Sequence, residues 1–284
     1  MSPENPLTAR VIVNRQWAAF FGRGLVKTTE DFGYQGETPT HPELLDWLAV
    51  EFVKQGWSLK RLHRLIVTSA TYRQSSRVTP ELLAADRENR LLSRFPRVRL
   101  DAEIIRDAAL ASSGLLTEKI GGPSVRPPQP EGVTEAAYGG GGWTPDTGAD
   151  RYRRSLYTFS KRTAPFALYN TFDGPTGEAC IARRDVSNTP LQALSLLNDI
   201  VFNEAAQAFG KELAGRKTSD EEKLDEAFRR VICRKPNDEE RTTLLRFFQT
   251  QRARLADAKP SADAAAWAAL VRALFSLDEV VTKG

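Results

Sequence analysis

Leu224-Asp225-Glu226-Ala227-Phe228-Arg229-Arg230-Val231-Ile232 is the stretch that decides the fold class. Leu224, Ala227, Phe228, Val231 and Ile232 stand at i, i+3, i+4, i+7 and i+8, which gathers apolar side chains on one face of a 3.6-residue helix. A strand would alternate with period two, and this stretch does not. Working outward, the same signature recurs. Thr189-Pro190 sets an N-cap before Pro at the first helical position. It opens a predicted helix whose face carries Leu194, Leu197, Val201 and Ala205. Asn237 caps a helix bearing Leu244, Leu245 and Phe248. Ser261 caps the last, with Trp267, Leu270, Val271 and Leu274.

The N-terminal part reads alike. Asn5-Pro6 opens a helix to about Phe21, which Gly22 and Gly24 stop. A turn-rich loop, 28–40, follows. The next helix begins at Thr40 or His41, with Pro42 in its first turn. Leu44, Leu45, Leu48 and Phe52 form its apolar face, and Gly56 ends it. Ser58, Thr79-Pro80 and Asp101 mark three further helix starts. Between 117 and 150 the pattern fails, because eight glycines and five prolines fall in that span. Arg151–Arg162 alternates weakly and suggests a short strand or an extended rib. No repeat of 20–50 residues is present. The expectation is an all-α fold in one helical domain, 1–284, with a possible short strand pair. Within it lie a helical half (1–116), a loop-rich Arg/aromatic segment (117–188) and a second helical half (189–284).

Composition removes several functions. Apolar residues make up 41% and charged residues 27% of 284, ordinary for a folded globular chain. The apolar run Ala264–Val271 ends at Arg272 and is too short to cross a bilayer. No charged-then-apolar leader precedes Asn5, so no signal peptide is expected in this chain. It reads well as a piece of a longer parent. A net charge of +4 is too small to argue for nucleic acid by itself, so nucleic acid is disfavoured as a partner and a nucleic-acid binder is only a second alternative. The only cysteines, Cys180 and Cys233, form no C-x-x-C or C-x-x-C-H. Covalent c-type haem and a thiolate zinc site are therefore not expected here. Whether the two pair is open; Cys233, ending an apolar helix pattern, is expected to be a buried thiol.

Several strings together resemble one family. They include Asn5-Pro6-Leu7-Thr8-Ala9-Arg10, Val13-Asn14-Arg15, Phe21-Gly22-Arg23-Gly24-Leu25-Val26 and Asp31-Phe32-Gly33. Further strings are Gln35-Gly36-Glu37, Pro39 through Leu48, Thr71 through Ser76, and Gly121-Gly122-Pro123-Ser124. Asp150 through Phe159, Lys161-Arg162-Thr163, Arg183-Arg184 and Asn188 through Leu194 complete the set. In this order they resemble the C-terminal domain of unknown function in planctomycetal cytochrome c-type multidomain proteins. Ser160 stands where that family often has Trp. The resemblance implies an extracytoplasmic or periplasmic setting, and haem c on an upstream domain that would be this chain's partner. It implies no catalytic residue and no cofactor in this chain.

The residues themselves offer two candidate sites. Arg151, Tyr152, Arg153, Arg154, Tyr157, Lys161 and Arg162 lie close together, beside a loop bearing Tyr138 and Trp143. Arg183 and Arg184 come shortly before the helix start at Thr189, where free N–H groups favour anions. Guanidinium forks suit carboxylates and aromatic rings stack on sugars, so an acidic polysaccharide or other glycan is a fitting ligand. The plainer alternative pairs these arginines internally, with Asp150, Asp173, Glu178 and Asp185. The second candidate is a hydrolase-like site using His41 with Asp31 or Asp46, where His41 would be the general base; Glu37 could join a metal set with His41. His41 could equally cap or pack at its helix start, and His63 lies in an Arg-rich amphipathic helix. Gly22-Arg23-Gly24 resembles a phosphate-binding turn only in part, and a helix C-cap explains it. The run Gly139–Gly142 lacks a flanking strand and helix. The leading expectation is an accessory binding module.

Overall fold

The computed structural model describes residues 5–133, 142–256 and 261–284. It is all-α, with one short strand pair. Packing divides the chain into two compact units, one running to Arg99 and taking in Thr282–Gly284, the other Leu100–Val281.

The first unit holds α1 (Pro6–Phe21), α2 (Pro42–Lys54), α3 (Leu59–Thr68) and α4 (Pro80–Ala85). Strand β1 (Val98–Arg99) pairs antiparallel with β2 (Thr282–Lys283). Three of the expected caps form: the Asn5 side chain accepts from Leu7 and Thr8 N–H, Ser58 from Arg61, and Thr79 from Leu82, whereas Asp101 stands at its helix start without a side-chain cap bond. Gly22 takes the left-handed C-cap at φ 72°, a conformation that costs glycine little. Val13, Trp17, Phe21, Leu45, Leu48, Phe52, Leu62 and Ile66 make the core. Asn14, fully buried, bonds Val26 through both its amide groups at 2.9 Å. A side chain at Gly24 would collide with that amide, since an added Cβ would lie 2.6 Å from Asn14 Nδ2.

The second unit holds α5 (Ala102–Ser112), α6 (Ala167–Thr171), α7 (Pro190–Asn198) and α8 (Ile200–Gly215). α9 (Asp220–Ile232), α10 (Asp238–Arg254), α11 (Ala262–Phe275) and α12 (Asp278–Val281) complete it. α9 buries Leu224, Ala227 and Phe228 in a core with Phe202, Phe209, Phe248, Trp267, Leu270 and Phe275. Ser219, Asn237 and Thr189 each form a reciprocal capping box with the Glu or Gln three residues on.

Three expectations need correction. The helix from Thr189 does not run through Ala205. Asp199 is extended and its carboxylate accepts from Val201 N–H, starting α8 afresh. That break leaves Leu194 and Leu197 exposed, while Val201 and Ala205 are buried. Arg151–Arg162 is no strand: Gly148–Tyr152 and Ser155–Tyr157 are 3-10 turns, joined to 117–125 by the isolated bridges Thr117–Arg153 and Val125–Thr158. Cys233 is exposed, because it is the left-handed C-cap of α9 and not its last apolar turn. Both cysteines are free thiols. The described part of 117–147 contains no helix. Tyr138 and Gly139–Gly141 lie outside the described residues.

Candidate functional site

The irregular segment is organised by a residue that the sequence reading passed over. Arg106, on the inner face of α5, is wholly buried. Its guanidinium donates to the carbonyls of Arg153 (2.9 Å) and Arg151 (3.1 Å) and to Ser155 Oγ (3.2 Å). Its neighbour Asp107 accepts from Ser155 N–H at 2.8 Å. Burial pulls the Arg106 pKa down, yet an arginine stays charged. The main-chain oxygens are its solvation shell.

The predicted ligand arginines have separate fates. Arg153 is 1% exposed. It donates to the carbonyls of Pro123, Lys119 and Gly121 at 2.9, 3.1 and 2.6 Å, and its guanidinium lies 3.7 Å from the Tyr157 ring centre. The Tyr157 hydroxyl accepts from Gly121 N–H. Arg151 grips the Glu204 carboxylate through Nε and Nη2. Arg184 grips Glu103 at 2.7 and 3.0 Å. Burial pushes Glu103 up, but the Arg184 fork outweighs it and holds the carboxyl below its usual range. Trp143 donates to the Pro127 carbonyl and stacks on Phe166. Lys161 is half-buried and has a partner in the fold. Arg154 reaches Asp107 only at 3.9 Å, and Arg162 and Arg183 are exposed. The acceptors are mostly not the four foreseen. Asp173 instead holds Ser187 and Gln192.

A groove of about 660 Å³ opens in this unit between α8 and α11. The two helices approach closely at Gly210, where an added Cβ would lie 2.4 Å from the Ala268 nitrogen. Ala206, Ala264, Ala265 and Ala268 give it an apolar floor. Tyr152, Asn203, Glu204, Gln207, Lys211 and Arg272 supply polar walls. Arg151 neutralises Glu204, and Arg272 donates to Asn203 Oδ1 at 3.3 Å. The excess charge at the rim is therefore positive. Burial, aided by Glu204, pushes the Tyr152 phenol up, so it remains a neutral donor at physiological pH. Only Arg151 and Tyr152 from the foreseen cluster reach this groove, Arg151 by way of Glu204. Lys211 and Arg272 were invisible as a pair, because 61 positions separate them.

His41, Asp31 and Asp46 are not joined by hydrogen bonds in the structure. His41 Nδ1 meets Thr40 Oγ1 at 3.0 Å, and no side-chain cap bond forms. Asp46 is paired with Arg10 at 2.6 Å, which holds its carboxyl below the usual range. Asp31 accepts from Gly33 N–H. His63 meets Gln16 at 2.7 Å. No group of three metal-ligating side chains occurs among the described residues.

A family model matches residues 1–248. The chain belongs to the PSD1 family, proteins of unknown function (DUF1553). No curated protein and no solved structure shows significant similarity to it. The matched residues of this PSD1 member include the arginine network of 106–184 and all of α8, and end before α11. The Lys211 wall of the groove thus lies inside the family match and the Arg272 wall outside it.

Proposed function

We propose that this chain is a binding module whose ligand seat is the α8–α11 groove, and that the ligand is an acidic glycan. The observation that carries the reading is the pairing of an apolar alanine floor with Tyr152, Lys211 and Arg272 on the walls. Sugar rings present apolar faces and hydroxyl edges, and a uronate adds a carboxylate that Lys211 and Arg272 would neutralise. Arg106 and Arg153 serve this site indirectly, by fixing the segment that delivers Tyr152 and Arg151. The module would act within a longer extracytoplasmic polypeptide of planctomycetal type, next to a haem-bearing domain. That context rests on the sequence strings alone.

The test is thermal unfolding and calorimetry with oligogalacturonate, a neutral oligosaccharide of equal length and inorganic phosphate. Oligogalacturonate should raise the melting temperature, salt should weaken the effect, and a Lys211→Ala/Arg272→Ala double variant should abolish it without unfolding. No stabilisation of the wild type by any acidic saccharide would refute the reading.

A further inference from the structure

The first unit contains a second cavity, of about 60 Å³, which the groove reading does not use. Its polar wall includes Arg23 and Arg90, and its apolar wall includes Trp17, Phe21 and Leu92. Arg23 follows the C-cap Gly22, and the Asn14 clamp on Val26 fixes the chain just beyond it. Two Arg23 nitrogens, Nε and Nη2, are buried and have no hydrogen-bond partner. The third, Nη1, reaches Glu88 at 3.4 Å, and Glu37 comes no nearer to Nη2 than 3.9 Å. Nε and Nη2 are the two donors on one edge of a guanidinium, the fork that matches both oxygens of a carboxylate. Leaving both unsatisfied is costly. Two other lining residues are also unusual. Asn89 and Leu92 both sit at positive φ, 53° and 55°, and a leucine there is strained.

We propose that this cavity binds a short monocarboxylate, its oxygens on the Nε–Nη2 edge of Arg23 and its alkyl end against Trp17 and Leu92. The size allows a few water molecules or a two- to three-carbon acid. The apolar wall favours a carboxylate over phosphate, which would have to shed its hydration without replacement. Glu37 and Glu88 oppose any anion, while Arg90 and Lys27 favour one; Lys27 lies 3.4 Å from Glu37. With two cations beyond Arg23 against two carboxylates, the Arg23 charge is left for the ligand.

The test titrates the whole chain with acetate, propionate, phosphate and chloride at fixed ionic strength, by calorimetry and thermal unfolding. Acetate and propionate should bind in about the millimolar range, given so few ligand atoms, and phosphate and chloride should not. Arg23→Lys keeps the charge but loses the fork, and should weaken acetate binding at least about tenfold. Glu88→Gln removes an opposing charge and should tighten it; this arm stands even where Arg23→Lys fails to fold. Three results would overturn the proposal: no carboxylate binding to the wild type, equal binding of chloride or phosphate, or unchanged affinity in Arg23→Lys or Glu88→Gln.

Discussion

Arg153 and Arg154 are adjacent in sequence and should differ sharply when each is replaced by alanine. Arg153→Ala removes three donors from the carbonyls of Lys119, Gly121 and Pro123 and a cation stacked on Tyr157. Hydrogen bonds from a charged donor contribute about 1.5–3 kcal/mol each, and the stacked cation about 0.5–2 kcal/mol. Two effects reduce that sum and one raises it. Lys119, Gly121 and Pro123 are exposed residues whose carbonyls can rehydrate. The buried charge itself carries a desolvation cost. The alanine leaves a void, which adds to the loss. A net destabilisation of about 3–5 kcal/mol is expected, in line with breaking other buried charged networks. For a unit of this size that is a fall of about 6–20 °C in melting temperature. Arg154→Ala removes a half-exposed ion pair at 3.9 Å and should cost less than about 1 kcal/mol. Urea unfolding followed by far-UV circular dichroism gives both values. Equal effects of the two substitutions, or an Arg153→Ala variant within about 1 kcal/mol of wild type, would refute the assignment of Arg153 as the tie holding 119–123.

Four other outcomes follow from named contacts. Glu103→Gln should lower stability at pH 7 by about 1–2 kcal/mol; because the folded carboxyl titrates below its unfolded value, the wild-type advantage is present above the unfolded pKa and vanishes as pH falls through the folded one, so acid unfolding curves of the two should converge. Gly210→Ala should destabilise by about 1–3 kcal/mol by forcing α8 from Ala268, and should also blunt any saccharide response of the groove. His41→Ala should change stability by less than about 0.5 kcal/mol, because no cap bond is lost; complete loss of folded protein would contradict this. Maturation with c-type haem machinery should give no pyridine haemochrome signal, since C-x-x-C-H is absent.

The sequence by itself determined most of the helices, most of their caps and the absence of helix in the described part of 117–147. Those features are local: an N-cap side chain reaches two or three residues, and an amphipathic face repeats within eight. Asn5, Ser58, Thr79, Asn237 and Ser261 were legible for that reason. The break at Asp199 was not, because Leu194, Leu197, Val201 and Ala205 keep helical spacing across it. Tertiary structure alone decided what each arginine does. Arg153 and Arg162 belong to the same basic run, yet one is buried and the other exposed. The difference lies in carbonyls 30 to 34 positions away, which arrive only because Arg106 gathers the chain from 151 to 155. Lys211 meets Arg272 across a groove only because Gly210 lets α8 and α11 close on each other. Charge and residue type are written in the sequence; whether a buried cation is solvated by its own chain or left facing a cavity depends on distant backbone, which no local pattern encodes.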